Sequence, residues 1–145
     1  MHIDNALALN DTITTFGDVY YFAYPCSSTK VNANGQVEPD PEITESLFLK
    51  GSTYMSRYTG KTAGGFVLDE SWQENDGLVN TVSAGAPIGA PSNEYVEGQT
   101  LTPGTWNVMP TVTGDHMSLQ GGLTKRVNVK PFYLELVKMI AGLEG

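Results

Sequence analysis

Between Lys61 and Lys125 the chain has no lysine or arginine at all, while Asp69, Glu70, Glu74, Asp76, Glu94, Glu97 and Asp115 all fall in that stretch. The net charge of −8 is therefore concentrated in its middle. Nucleic-acid binding needs clustered basic side chains that displace phosphate counterions. The few bases present (Lys30, Lys50, Arg57, Lys61, Lys125, Arg126, Lys130 and Lys138) form no dense tract, so no nucleic-acid partner is expected. One cysteine, Cys26, permits neither an internal disulfide nor a cysteine zinc cluster. No apolar run approaches the roughly 18 residues of a membrane span, so no transmembrane segment is expected. Met1–Asp4 also lacks the basic and apolar regions of a signal peptide. Charged residues make up only 17%, beside 16 glycines and 8 prolines, which excludes a coiled coil or helical bundle. The nucleophile elbow Gly-x-Ser-x-Gly does not occur.

What is present is enough for one packed unit over residues 1–145, since Leu, Ile, Val and Phe clear the roughly 20% floor below which disorder is expected. Ala6, Leu9, Ile13 and Phe16 recur at helical spacing and predict a helix over about 4–16. Val19-Tyr20-Tyr21-Phe22-Ala23-Tyr24 is short, apolar and aromatic, and predicts a strand over about 19–25, buried on both faces as in a parallel sheet. From about 26 to 70 the glycines, prolines and asparagines break every pattern, leaving a long excursion with one short helix near Glu42 to Phe48. A loop follows over about 71–80, where Asp76-Gly77 is a strong turn signal. Val79 to Ser83 suits a short helix or strand, and Thr105 to Met109 a strand that Pro110 ends. His116 falls in a second loop over about 113–118. Phe132, Leu136, Met139, Ile140 and Leu143 stripe a final helix over about 131–143, with Pro131 in its first turn.

Histidine chemistry has only His2, beside the terminus, and His116, in a loop where scaffolds present functional groups. A neutral imidazole takes a proton at one nitrogen when a carboxylate holds its other N–H. Asp115 is next in sequence and poorly placed to reach across the ring, whereas Asp76 comes from a separate turn. Taken alone, such a pair is weak against the plain reading of a surface histidine. Cys26 stands before both and permits a Cys-Asp-His hydrolase, but no glycine flanks it and no helix pattern follows it, so a buried or rim cysteine is the plainer reading. The nearest string to an elbow, Thr81 to Gly85 around Ser83, lacks the first glycine and comes after Asp76. Two separated histidines leave no zinc signature. Glu38, Asp40, Glu42 and Glu45 lack EF-hand spacing and suit a solvated acidic loop. Tyr20, Tyr21, Tyr24, Tyr54 and Tyr58 fit a core better than a ligand site.

Longer strings carry more. Trp72-Gln73-Glu74-Asn75-Asp76-Gly77-Leu78-Val79-Asn80-Thr81-Val82-Ser83, then Gly104-Thr105-Trp106-Asn107-Val108-Met109, then Asp115-His116, then Phe132-Tyr133-Leu134 closely resemble the C-terminal part of secreted bacterial triacylglycerol lipases of the Geobacillus and Staphylococcus type. Leu9-Asn10 followed by Val19-Tyr20-Tyr21 is similar to the helix and strand preceding that part, so the resemblance covers nearly the whole chain and is loosest from Lys30 to Thr62. It implies the C-terminal portion of an α/β-hydrolase fold, a short parallel sheet with flanking helices and long loops. It implies a lipase that is secreted, with an acyl-ester lipid as substrate. In that family the acid of the Glu-Asn-Asp-Gly motif and the histidine of the Asp-His motif belong to the catalytic triad, which makes Asp76 the acid and His116 the base, with Trp72 beside the acid loop. The serine nucleophile and the zinc ligands belong to the N-terminal half, so an N-terminal partner segment is implied and this chain alone is expected to be inactive. Family members also bind calcium through an acidic residue two positions after the histidine. That position is Ser118 here, followed by Gln120-Gly121-Gly122-Leu123, so neither calcium nor any other cofactor is expected. The competing expectation is a non-catalytic module that keeps the lipase-like fold and pairs with a partner.

Overall fold

The first helix, α1 (Ile3–Asn10), stops well short of the apolar spacing that predicts it. Thr12 donates its hydroxyl back to the carbonyl of Leu9 and competes with the helical ladder, so Ile13 and Phe16 fall outside it. In the computed structural model, residues 3–123 and 128–143 are described. His2, Lys125 and Arg126 lie outside them.

The predicted strand over 19–25 is split. β1 (Tyr21–Ala23) and β2 (Cys26–Ser27) flank Pro25, whose missing N–H cannot serve a ladder. The excursion that follows carries two hairpins and a helix. β3 (Thr29–Val31) pairs antiparallel with β4 (Val37–Pro39), α2 covers Ser46–Met55, and β5 (Gly60–Lys61) pairs antiparallel with β6 (Val67–Leu68). α2 begins four residues later than the short helix expected near Glu42 to Phe48 and runs to Met55. Single 3₁₀ turns cover Glu70–Trp72 and Thr81–Ala84. β7 (Ser92–Glu94), β8 (Trp106–Val108) and β9 (Val112–Thr113) complete the strands. A third 3₁₀ turn over Ser118–Gln120 precedes α3 (Val129–Ala141), which starts two residues ahead of the predicted bound because the Asn128 side chain caps the Lys130 amide.

β1, β8 and β7 form a parallel sheet with β8 in the centre, and β2 pairs parallel with β9. The two ladders are one run with a slip in it. Ala23 faces Val108 but Cys26 faces Val112, so three steps along the first strand match four along the second. The amides of Met109, Val112 and Gly114 bond the carbonyls of Ala23, Pro25 and Ser27 across the slip, and Pro110 occupies it. The expectation of a strand buried on both faces does not hold for β1. Only Ala23 is buried, with Tyr21 and Phe22 half-buried, and β1 has β8 on one side and no strand on the other among the described residues.

The apolar core is small: Ala23, Cys26, Phe48, Leu68, Trp72 and Met109. Phe66 packs edge-on to Trp72 with ring centroids 5.3 Å apart. The most completely buried larger side chains are polar, namely Asn75, Thr44, Asp115, Ser28 and Ser52. Neither α1 nor α3 has a buried residue. Of the expected stripe, Phe132, Leu136 and Met139 lie on the more covered face of α3, where Phe132 meets Tyr24 edge-on at 5.0 Å, but Ile140 is half exposed. Tyr54 and Tyr58 are not core residues: they stack on each other at 5.5 Å, exposed on and beyond the outer side of α2. No helix among the described residues is long and apolar enough to cross a membrane.

Candidate active site

The acid loop owes its shape to Asx chemistry. Asn75 is fully buried; its side-chain amide donates to the carbonyl of Gln73 at 2.8 Å and the hydroxyl of Ser56 at 3.1 Å, and its Oδ1 accepts the Gly77 amide at 2.9 Å. Gly77 is at φ +99°, a backbone state that costs glycine little. A Cβ there would lie 2.6 Å from Cβ of Phe48, and one on Gly51 would lie 2.8 Å from the carbonyl oxygen of Gly77. α2 and the acid loop thus approach as closely as two glycines allow.

This turn aims Asp76. Its carboxylate is 8% exposed, and Oδ1 accepts the amides of Leu78 at 3.0 Å and Val79 at 2.7 Å. Oδ2 is left for the ring of His116, whose Nδ1 lies 2.9 Å away. The backbone repeats the link, the His116 amide donating to the Asp76 carbonyl at 2.9 Å. With Nδ1–H donating to the carboxylate, Nε2 carries the lone pair. That nitrogen takes no hydrogen bond among the described residues, and the side chain is 35% exposed. The ring edge packs against Phe48 with centroids 6.4 Å apart, so α2 touches the histidine as well as the acid loop. The arrangement is an oriented imidazole with one free basic nitrogen, the geometry of a general base.

Asp115, the other acid beside His116, faces away from the ring and is 1% exposed, accepting the Glu45 amide at the start of α2. Cys26 is buried, and burial first, then the carboxylates of Asp76 and Asp115, push its thiol up to about 11. A nucleophilic cysteine needs the opposite shift, so the Cys-Asp-His alternative has no support here. Ser83 sits in the 3₁₀ turn after the acid loop with its hydroxyl donating to the Asn80 carbonyl, away from any elbow geometry. Trp72 lies against the acid loop, its carbonyl accepting the side-chain amide of Asn80.

Of Glu38, Asp40, Glu42 and Glu45, only Glu42 is exposed as a solvated acidic loop requires. Glu38 accepts from Asn32, Asp40 pairs with Lys30 at 3.5 Å, and Glu45 is buried as the N-cap residue of α2. Ser118, at the family's calcium-ligand position, is buried and engages Asp115 with its hydroxyl, so the residues there do not fit that ion. Among the described residues, no group of three or more His, Cys, Asp or Glu is placed to hold a metal. Sequence reasoning missed Asn75, Phe48, Ser56 and the role of α2, although the Asx-rich turn around Asn75 carried part of the signal.

Over most of its length the chain is similar to bacterial lipases, matching their C-terminal part. The curated lipase of Staphylococcus hyicus is 28% identical over 119 residues, which is 81% of this chain and 17% of that protein. EstA from Clostridium botulinum superposes with a TM-score of 0.79 at 29% identity, over 94% of this chain and 32% of that one. Lipase 1 from Pelosinus fermentans gives 0.75 at 27%, over 98% and 37%. The S. hyicus lipase structure gives 0.73 at 21%, over 94% and 34%, a likeness of fold. The chain therefore spans about a third or less of the relatives it matches. No protein-family model matches it.

Proposed function

We propose that this chain is the acid- and base-bearing C-terminal part of a carboxylic-ester hydrolase with an α/β-hydrolase fold, secreted and acting on acyl-ester lipids. Its serine nucleophile comes from a segment N-terminal to it in the complete enzyme. The observation that carries this reading is the 2.9 Å contact between His116 Nδ1 and Asp76 Oδ2, with the other carboxylate oxygen held by two backbone amides. In the complete enzyme His116 Nε2 takes the serine proton as the hydroxyl attacks the ester carbonyl, and the imidazolium returns that proton to the departing alcohol. Water then attacks the acyl-enzyme, His116 again takes the proton, and the fatty acid leaves with the serine restored. Asp76 holds the tautomer and stabilises the imidazolium in both halves. The bare apolar sides of α1 and α3 support a covering segment, with Tyr133, Leu134, Val137 and Ile140 exposed on α3.

The test is a chimera in which this chain replaces the matching C-terminal third of C. botulinum EstA. It should hydrolyse p-nitrophenyl esters, and His116→Ala should lower kcat/KM by about 10³-fold or more. An active chimera indifferent to His116→Ala removes the assignment. A folded but inactive chimera favours the second reading, a lipase-like pairing module, which the same exposed apolar faces would also suit.

A further inference from the structure

Ester hydrolysis through Asp76 and His116 leaves Asp115 without a chemical role, yet it is the most completely buried acid among the described residues at 1% exposure. Burying a carboxylate is costly unless donors surround it. Three do. Oδ2 accepts the Glu45 amide at 2.9 Å, and Oδ1 accepts the Met117 amide at 3.1 Å and the Ser118 hydroxyl at 2.9 Å. The same hydroxyl accepts the amide of Asp115 itself at 2.8 Å, and the Ser118 amide donates to the Asp115 carbonyl at 2.9 Å. These bonds close a ring over residues 115–118 with His116 inside it. Gly114 leaves room for the ring, since a Cβ there would sit 2.6 Å from Cβ of Ser118.

We propose that Asp115 and Ser118 are positioning residues: their carboxylate–hydroxyl clasp, anchored on the Glu45 amide, holds the His116 imidazole on Asp76. Capping α2 alone would require only the Glu45 contact. The hydroxyl bridging both the amide and the carboxylate of Asp115 instead fixes the backbone on either side of the histidine. A catalytic group locked by neighbours that do not themselves react is the usual way to hold such geometry to a fraction of an ångström. The inference rests on the reading of His116 as the base, but it concerns a hydrogen bond inside this chain and needs no nucleophile to be measured.

The test is solution NMR of the imidazole nitrogens in the 145-residue chain, with the His116 signals assigned by their loss in His116→Ala. The wild type should hold the Nδ1–H tautomer with a protected Nδ1 proton. Ser118→Ala, which leaves Asp115 its two amide donors, should lose that protection and shift the ring toward the Nε2–H tautomer, with the near-ultraviolet dichroism of Trp72 and Trp106 unchanged. Asp115→Asn gives a second, same-shaped route if Ser118→Ala does not fold. Ser83→Ala, a hydroxyl remote from the clasp, should change nothing, and neither should EDTA. A protected Nδ1 proton surviving in both clasp variants, or one lost on adding EDTA, overturns the clasp. Its absence from the wild type overturns the clasp and the Asp76–His116 pairing together.

Discussion

The region around α2 and the two loops, and the region formed by α1 and α3, treat side chains in opposite ways. In the first, the residues taken out of water are largely polar: Asn75, Asp115, Thr44 and Asp76 each make at least one side-chain hydrogen bond, while the hydroxyls of Ser28 and Ser52 have no partner among the described residues. In the second, the helices leave Leu9, Val137 and Ile140 about half exposed or more. Buried polar networks contribute little net stability but penalise every wrong arrangement, because an orphaned partner costs about 1–3 kcal/mol. Apolar faces left in water contribute nothing until something covers them. The loop region therefore fixes its side chains in one arrangement, while the helix region leaves apolar side chains in water.

The sharpest way to break this contrast is at Gly77. Gly77→Ala combines an unfavourable backbone angle with a 2.6 Å clash against Phe48, and should destabilise the chain by about 3 kcal/mol or more in urea denaturation. A loss under about 1 kcal/mol would mean the acid loop is not pinned to α2.

A smaller effect should appear at high pH. The unfolded chain releases the Cys26 proton near the ordinary 9.0, while the folded chain retains it up to about 11. Between those values the folded state binds the extra proton, so stability falls as pH rises through that window. Tyr24, raised by burial and by Tyr95, acts in the same direction. Denaturation midpoints of wild type and Cys26→Ala, followed from pH 8 to 11, should converge as pH rises if Cys26→Ala starts lower. Parallel curves would place the thiol in water.

The smallest effect is expected on α3. Val137→Ser should change the stability of the isolated chain by no more than about 0.5 kcal/mol, since the side chain is 61% exposed. The same substitution in the chimera with EstA should cost more, and equal costs in the two settings would erase the distinction between the regions.

Much of the candidate site is legible because motif strings carry it: Asp76 and His116 stand out as members of the Glu-Asn-Asp-Gly and Asp-His strings even though nothing about their spacing brings them together. Their approach depends on parallel pairing of strands far apart in sequence, which periodicity does not encode. The start of α2 is hard to read because it has no side-chain cap bond and its middle holds Gly51, Ser52 and Thr53, poor helix formers, of which Gly51 lies against the Gly77 carbonyl. α1 was overextended because Ile13 and Phe16 have helical spacing but no surface to bury against here. The α3 stripe holds at Phe132, Leu136, Met139 and Leu143, which are the less exposed positions, and fails at Ile140, which is 50% exposed.

The slip between the two parallel ladders bears on which insertions and deletions the chain can tolerate. The extra residue between Val108 and Val112 sets how far the second strand has travelled when it reaches Gly114, and so the height at which His116 leaves the sheet. A chain one residue shorter there would either draw the histidine back by about 3.3 Å or turn every following side chain to the opposite face. Either change exceeds the reach of a hydrogen bond to Asp76. Pro110 and Thr111, exposed and outside the strands, are thus a fixed-length spacer in which residue identity is freer than residue number.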